Sequence, residues 1–267
     1  MRYRLLHPVE LAMPWVPLDL EGLRIAHLTD LHVQRSRRRF QRLMTELQAT
    51  PVDMAVMTGD YMDQRGHEAA TVKVLDGLAR SIRARHGVFG VFGNHDTEGL
   101  IKRAAGLRIH WLQHGGHELP DVPIQLVGMG MDRAAPTDVA QTLGHLPVSN
   151  GRTKQTNGRV TMVLSHLPTL LPAAADMGAQ LLFAGHTHGG QCRIPPRFAL
   201  RNSTDLSLGL TCGVLRHQDT WCVVSRGIGE TAIPLRVFCR PHVPVYTLRN
   251  GEAPTINHSR IVNVRPW

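Results

Sequence analysis

Leu181-Leu182-Phe183-Ala184-Gly185-His186-Thr187-His188-Gly189-Gly190-Gln191 starts as a short apolar run and breaks into a loop with two histidines one residue apart. Four apolar residues stopped by a glycine predict a strand buried on both faces. Neutral imidazole is the commonest metal ligand, and glycines let a backbone approach a bound group closely. Alone, the loop fits either a metal site or a His-rich turn that merely packs. The decision rests on whether the pattern recurs.

It does recur. Toward the N-terminus, the apolar run 160–164 ends at Ser165-His166, and 87–92 ends at Gly93-Asn94-His95-Asp96. Further back, 53–58 ends at Gly59-Asp60, and 23–28 ends at Thr29-Asp30-Leu31-His32. Helical spacing lies between them, over 36–50 (Phe40, Leu43, Met44, Leu47) and 67–85 (Val72, Leu75, Leu78, Ala79, Ile82). Shorter helices are predicted over 98–105 and 168–175. Strands alternating with helices predict an α/β fold with a parallel sheet. The first three clusters are about 30 residues apart, one βαβ unit each. Neighbouring parallel strands then set their polar C-terminal ends side by side, where open α/β sheets build their sites. Strands are also predicted over 108–112 and 124–129, a helix over 137–143, and an exposed polar loop over 149–158. Beyond 193 the chain is Pro/Gly-rich, with strand-like runs at 220–225, 235–239 and 243–248.

The collected side chains are Asp30, His32, Asp60, Asn94, His166, His186 and His188, with His95 beside them. Mixed imidazole and carboxylate ligation suits zinc, iron, manganese or cobalt. One structural zinc takes four ligands and a catalytic one three, so seven candidates exceed a single ion. Two metals about 3.5–4 Å apart need a bridging carboxylate, and the second aspartate can serve.

Composition narrows the partners. The formal net charge is +9 at pH 7 and the pI about 10.2, favouring anionic ones. Aromatics make up only 5% of the 267 residues, and we find no helix-turn-helix signature, which disfavours nucleic acid. The four cysteines (Cys192, Cys212, Cys222, Cys239) form no CxxC pair, which points away from a disulfide scaffold and toward a reducing compartment. Pro8, Pro14 and Pro17 interrupt the first twenty residues, so a signal-peptide core is not expected there. No run approaches the ~20 apolar residues that span a bilayer. These features lead us to expect a cytoplasmic protein, at most peripheral to the inner membrane. The basic run Arg35, Arg37, Arg38 and Arg39 is a candidate contact for a phosphate or lipid headgroup.

The ordered set D-x-H, G-D, G-N-H-D, a lone strand-end His and G-H-T-H resembles the calcineurin-like metallophosphoesterase family over residues 23–248. The ending G-H-T-H-G-G-Q, with Ser225-Arg226-Gly227-Ile228-Gly229 downstream, resembles its YkuE/YaeI-type bacterial subgroup. The resemblance implies one domain over 1–267, an α-β-β-α sandwich of two mixed sheets flanked by helices. The strand and helix pattern had not itself called for two sheets. The resemblance also implies two divalent transition metals (Mn, Fe, Zn or Co). Asp30, His32 and His188 would hold the first, and Asn94, His166 and His186 the second, with Asp60 bridging. His95 would serve the leaving group, oriented by Asp96. The implied reaction is in-line attack of a metal-bridging hydroxide on a phosphodiester or pyrophosphate. The substrate would be a phosphorylated small molecule or a lipid-linked pyrophosphate such as UDP-2,3-diacylglucosamine, of lipid A biosynthesis. The best-known lipid A enzymes carry arginine where this chain has His95, which counts against that substrate. A general phosphodiesterase or nuclease is the alternative. A non-catalytic metal-binding scaffold is a further one, opposed by the complete ligand set.

Overall fold

The structure is a computed structural model describing residues 3–34, 37–129, 158–194, 198–199, 207, 210–232, 234–252 and 262–265. Its frame is two facing mixed sheets. The apolar runs form strands because β-rich side chains with no polar alternation can be covered on both faces. In β2 (Arg24–Leu28), β3 (Met54–Thr58) and β4 (Val88–Val91) every residue but Arg24 is buried. With β5 (His110–Trp111) they run parallel, while β14 (Val243–Asn250) joins β2 antiparallel and carries β1 (Leu6–Met13) on its outer edge. The order is β1-β14-β2-β3-β4-β5.

The second sheet has the order β15-β12-β13-β9-β8-β7-β6. Its parallel centre is β7 (Ile124–Met129), β8 (Val160–Ser165), β9 (Leu181–Ala184) and β13 (Thr220–Val224). Antiparallel strands flank it: β6 (Gly116–Glu118) on one side, β12 (Gly213–His217) and β15 (Val262–Arg265) on the other.

The two-residue period of a strand decides which side chain enters which layer. Ile25, Met54, Val56 and Phe89 point between the sheets, meeting Met162, Leu164, Leu181 and Phe183 from the other side. Their neighbours Ala26, Leu28, Ala55 and Met57 face outward, under three helices. These are α1 (Arg37–Gln48), α2 (Glu68–Ser81) and α3 (Glu98–Ala104), which bury Phe40, Leu43, Leu75, Leu78 and Leu100. On the far face, α4 (Leu171–Asp176) covers Val163, Leu182 and Ala184. Each fully buried side chain of this size stabilises by about 1.5–3 kcal/mol. The sandwich implied by the resemblance is therefore the fold observed.

One local reading needs correction. The run 235–239 is not a strand: only Val237 bridges, to Cys192, and Phe238 has a φ of +50°. The Pro-interrupted N-terminus is a strand; Pro8 is tolerated because β1 is an edge. Its apolar residues Leu5, Leu6, Leu11 and Met13 are buried. The segments expected as a helix (137–143) and nearly all of the polar loop (149–158) lie outside the described residues. Of the basic run, Arg35 and the Arg37 side chain also lie outside them. Arg38 is exposed, while Arg39 is committed internally to Glu230 at 2.8 Å and to the Ile228 carbonyl. Among the described residues, no helix is long and apolar enough to cross a membrane.

Candidate metal centre

Every expected site residue follows the C-terminal end of a parallel strand. Asp30 and His32 come after β2, Asp60 after β3, and Asn94 and His95 after β4. His166 comes after β8, and His186 and His188 after β9. The ends of the two sheets are tied together: the His186 amide donates to Asp30 Oδ1 at 3.0 Å, and His166 Nδ1 lies 2.8 Å from the Thr58 carbonyl. Backbone bonds from Asp30 to Gly59 and from His32 to Asp60 extend the β2–β3 ladder into the loops.

The backbone here is strained in one consistent way. Asp30 (φ 48°), His32 (39°), Asp60 (54°), His186 (68°) and His188 (50°) all adopt the left-handed region. Such residues are uncommon, and they persist where the surroundings over-determine them, typically at functional sites. These turns after the strands bring the side chains together at the strand ends.

Two groups of donors result. One ligand atom from each of Asp30, His32 and His188 falls within 4.8 Å of the others, and the same holds for Asp60, His166 and His186. Between the groups stands Asp60, whose Oδ2 is 3.1 Å from His166 Nε2 and 3.6 Å from His32 Nε2. His166 Nε2 also faces His186 Nδ1 at 3.0 Å, and His188 Nε2 faces His32 Nε2 at 3.1 Å. The Thr58 carbonyl takes the Nδ1 proton of His166, so Nε2 is the ring nitrogen left to face the centre. Asp30, Asp60, His32, His166 and His188 are all at most 4% exposed. Buried carboxylates and imidazoles this close need cations or protons between them, and the donor types fit divalent transition metals.

The protonation preferences carry the same signature. Burial opposes the charged form of His166, but Asp60 outweighs it and raises the ring to about 9. Burial likewise works against the Asp60 carboxylate, yet His166 and His32 hold it well below the usual range. Burial pushes Asp30 up, and burial with the nearby His32 pushes His188 well down. Without metals, then, protons hold the cluster together.

The family model for calcineurin-like phosphoesterases matches residues 23–190. The chain belongs to that family. This calcineurin-like phosphoesterase is a metal-dependent hydrolase of phosphoester bonds. It is 24% identical over 247 residues to the uncharacterized metallophosphoesterase YkuE of Bacillus subtilis (strain 168), covering 88% of this chain and 82% of YkuE. It is 29% identical over 213 residues to the phosphodiesterase YaeI of Escherichia coli (strain K12), covering 73% and 70%. A third relative, the UDP-2,3-diacylglucosamine pyrophosphatase LpxG of Chlamydia muridarum (strain MoPn / Nigg), is 24% identical over 238 residues, covering 70% of each chain. The crystal structure of TT1561 of Thermus thermophilus shares the fold, with a TM-score of 0.51 at 10% identity over 77% of this chain and 90% of that one.

Asn94 and His95 open onto a groove of about 960 Å³ that also takes in Arg65, Glu68 and Gln113. The His95 amide donates to Asp60 Oδ1 at 2.9 Å, and its ring Nδ1 lies 3.1 Å from the Asp63 carbonyl. Asp96 does not orient that ring. Its carboxylate accepts from the backbone amides of Tyr61, Met62 and Gly93, so it clamps the β3 loop to the β4 loop. Burial, then Asp60, raises it to about 7. The positioning falls to Asp63, whose carboxylate also stands 3.5 Å from His32 Nδ1. Its place three residues after Asp60 was the available signal. Arg236 was also missed. It donates to the Gly229 and Arg226 carbonyls and comes within 3.3 Å of His188 Nδ1, with nothing in the sequence to announce it.

The glycine that opens the G-H-T-H loop of this phosphoesterase has a measurable task. A Cβ on Gly185 would stand 2.0 Å from Thr29 Oγ1 and 2.5 Å from Asp30 Oδ2. Gly185→Ala is expected to displace Asp30 and weaken metal binding about 10–100-fold, as lost support of a ligand typically does. Titrating the metal-free protein with Mn²⁺ checks this; an unchanged affinity would show that Asp30 tolerates the shift.

Proposed function

We propose that the chain hydrolyses a phosphodiester or pyrophosphate at a dinuclear centre, on a single domain spanning 1–267. Asp30, His32 and His188 would hold one metal, Asn94, His166 and His186 the other, and Asp60 would bridge them. The observation that carries this reading is the pair of donor triads meeting at Asp60 Oδ2. Two divalent metals held by these residues would supply a nucleophile at neutral pH and neutralise phosphate charge.

The protein groups do the rest. The Thr58 carbonyl and the Asp63 carboxylate hold His166 and His32 in register through their far ring nitrogens. His95, held at Nδ1 by the Asp63 carbonyl, lines the groove and would hand a proton from Nε2 to a leaving oxygen. The groove receives the departing half of the substrate.

For the substrate, a lipid-linked pyrophosphate such as UDP-2,3-diacylglucosamine is supported by the similarity to LpxG and by the +9 charge. A general phosphodiester is the second reading, favoured by the similarity to YaeI. The first reading places the protein in the cytoplasm, peripheral to the inner membrane. The test compares UDP-2,3-diacylglucosamine, bis-p-nitrophenyl phosphate and a monoester with the Mn²⁺-loaded protein. Turnover of the lipid-linked compound above both others is expected. Preference for the simple diester selects the second reading, and inactivity on all three across several metals would overturn both.

A further inference from the structure

Among the described residues, the large apolar side chains most open to solvent are Leu18, Leu235 and Phe238, at 88%, 53% and 66%. Leu18 follows β1, which is parallel to β14 and so antiparallel to β2; it sits at the end of the sheet away from the metal centre. Leu235 and Phe238 share one loop beside the centre. Between them, Arg236 turns inward and donates to the His188 carbonyl at 3.3 Å.

That loop is pinned, not loose. Val237 exchanges backbone bonds with Gln191 and Arg193, Arg236 bonds the carbonyls of Arg226, Gly229 and Cys239, and Cys239 is fully buried. With Arg236 and Cys239 held inside, Leu235 and Phe238 are driven out, and Phe238 accepts a left-handed φ of +50° in consequence. A bulky residue held there in water is unusual.

The surroundings say what the pair meets. Arg240 is exposed and lies 5.2 Å over the ring of Tyr3, whose chain neighbour Arg4 is also exposed. The acidic groups nearby are already engaged, Glu230 with Arg39 and Glu46 with Arg42. Two side chains are far too little for a protein interface, which takes about 800 Å² per partner. An apolar tip with a basic flank instead suits the headgroup–acyl boundary of an anionic bilayer.

We propose that loop 235–240, with Arg4 and Arg240, docks the chain on an anionic lipid surface and sets the metal centre against it. This deepens the lipid-linked reading above and rests on it for its purpose; the test reads membrane binding alone. The full-length protein is floated with vesicles of phosphatidylcholine and phosphatidylglycerol, and with phosphatidylcholine alone. The double variant Leu235→Ser/Phe238→Asn is run beside it, asparagine being at ease with a positive φ. Binding to the mixed vesicles is expected, weakened at least ~10-fold in the variant, with hydrolysis of bis-p-nitrophenyl phosphate unchanged. Absence of wild-type binding, or equal binding by the variant, would overturn the proposal. So would a dimer that the variant converts to monomer, since the patch would then meet a second copy of the chain. Failure on the vesicles leaves the hydrolase reading standing, because its assay uses a soluble diester.

Discussion

Asp60→Ala is expected to empty both metal positions and to lower kcat/KM by more than ~100-fold, since even outer partners of metal ligands typically cost 10–100-fold. The Asp60 carboxylate faces both donor groups: Oδ2 reaches His166 at 3.1 Å and His32 at 3.6 Å, while Oδ1 accepts the His95 amide at 2.9 Å. Alanine removes the carboxylate from between imidazoles of both groups and leaves that amide without its partner. The loop has no slack to compensate. A Cβ on Gly93 would be 2.2 Å from Asp60 Oδ1 and 2.4 Å from the Asp60 amide, so the two loops already touch. Asp60→Asn separates charge from shape, because it keeps the bond to His95 while lowering the charge between the metals. We expect it to fold, with some loss of metal-free stability at neutral pH because His166 loses its buried counter-charge, and still to lose metal. Elemental analysis after dialysis checks both variants; Asp60→Ala holding a full pair of metals would refute the bridging role.

How legible the molecule was depended on how local its determinants are. β3, β8 and β9 could be read from the sequence because a strand covered on both faces needs only a short uninterrupted apolar run. β1 could not, since as an edge strand it alternates buried with open positions and includes Pro8. The run 235–239 misled for the opposite reason: its apolar content suggested a covered strand, but Arg236 takes the inward place and expels its neighbours. That the chain divides into two sheets, with β14 returning to the first, follows from pairings such as β9 with β13, about 40 residues apart, which periodicity does not encode. Within the site, the candidate ligands stood out because each directly follows a strand. Asp96 was misread through adjacency to His95, whereas the turn carries its carboxylate to the amides of Tyr61 and Met62. Asp63 acts partly through its backbone carbonyl, which has no residue signature at all.

His95→Ala is expected to slow turnover of substrates with alkoxide leaving groups by about 10²–10⁴-fold, the usual contribution of a positioned acid. Release of p-nitrophenolate should be nearly unaffected, since that oxygen departs without a proton. The variant isolates this role because of how His95 is attached. Its bond to Asp60 comes from the backbone amide, which alanine keeps, and its ring belongs to neither donor group. Metal content should therefore match the wild type, unlike that of Asp60→Ala. The ring is nonetheless placed to act, with Nδ1 3.1 Å from the Asp63 carbonyl and its centroid 4.9 Å from that of His32. The carbonyl at Nδ1 keeps a hydrogen on that atom, so Nε2 is the nitrogen from which a proton would pass to the leaving oxygen. Comparing kcat for an alkyl and a p-nitrophenyl diester, with metal content measured on the same samples, decides the matter. Equal slowing of both would mean that His95 stabilises phosphate charge instead of protonating the leaving oxygen.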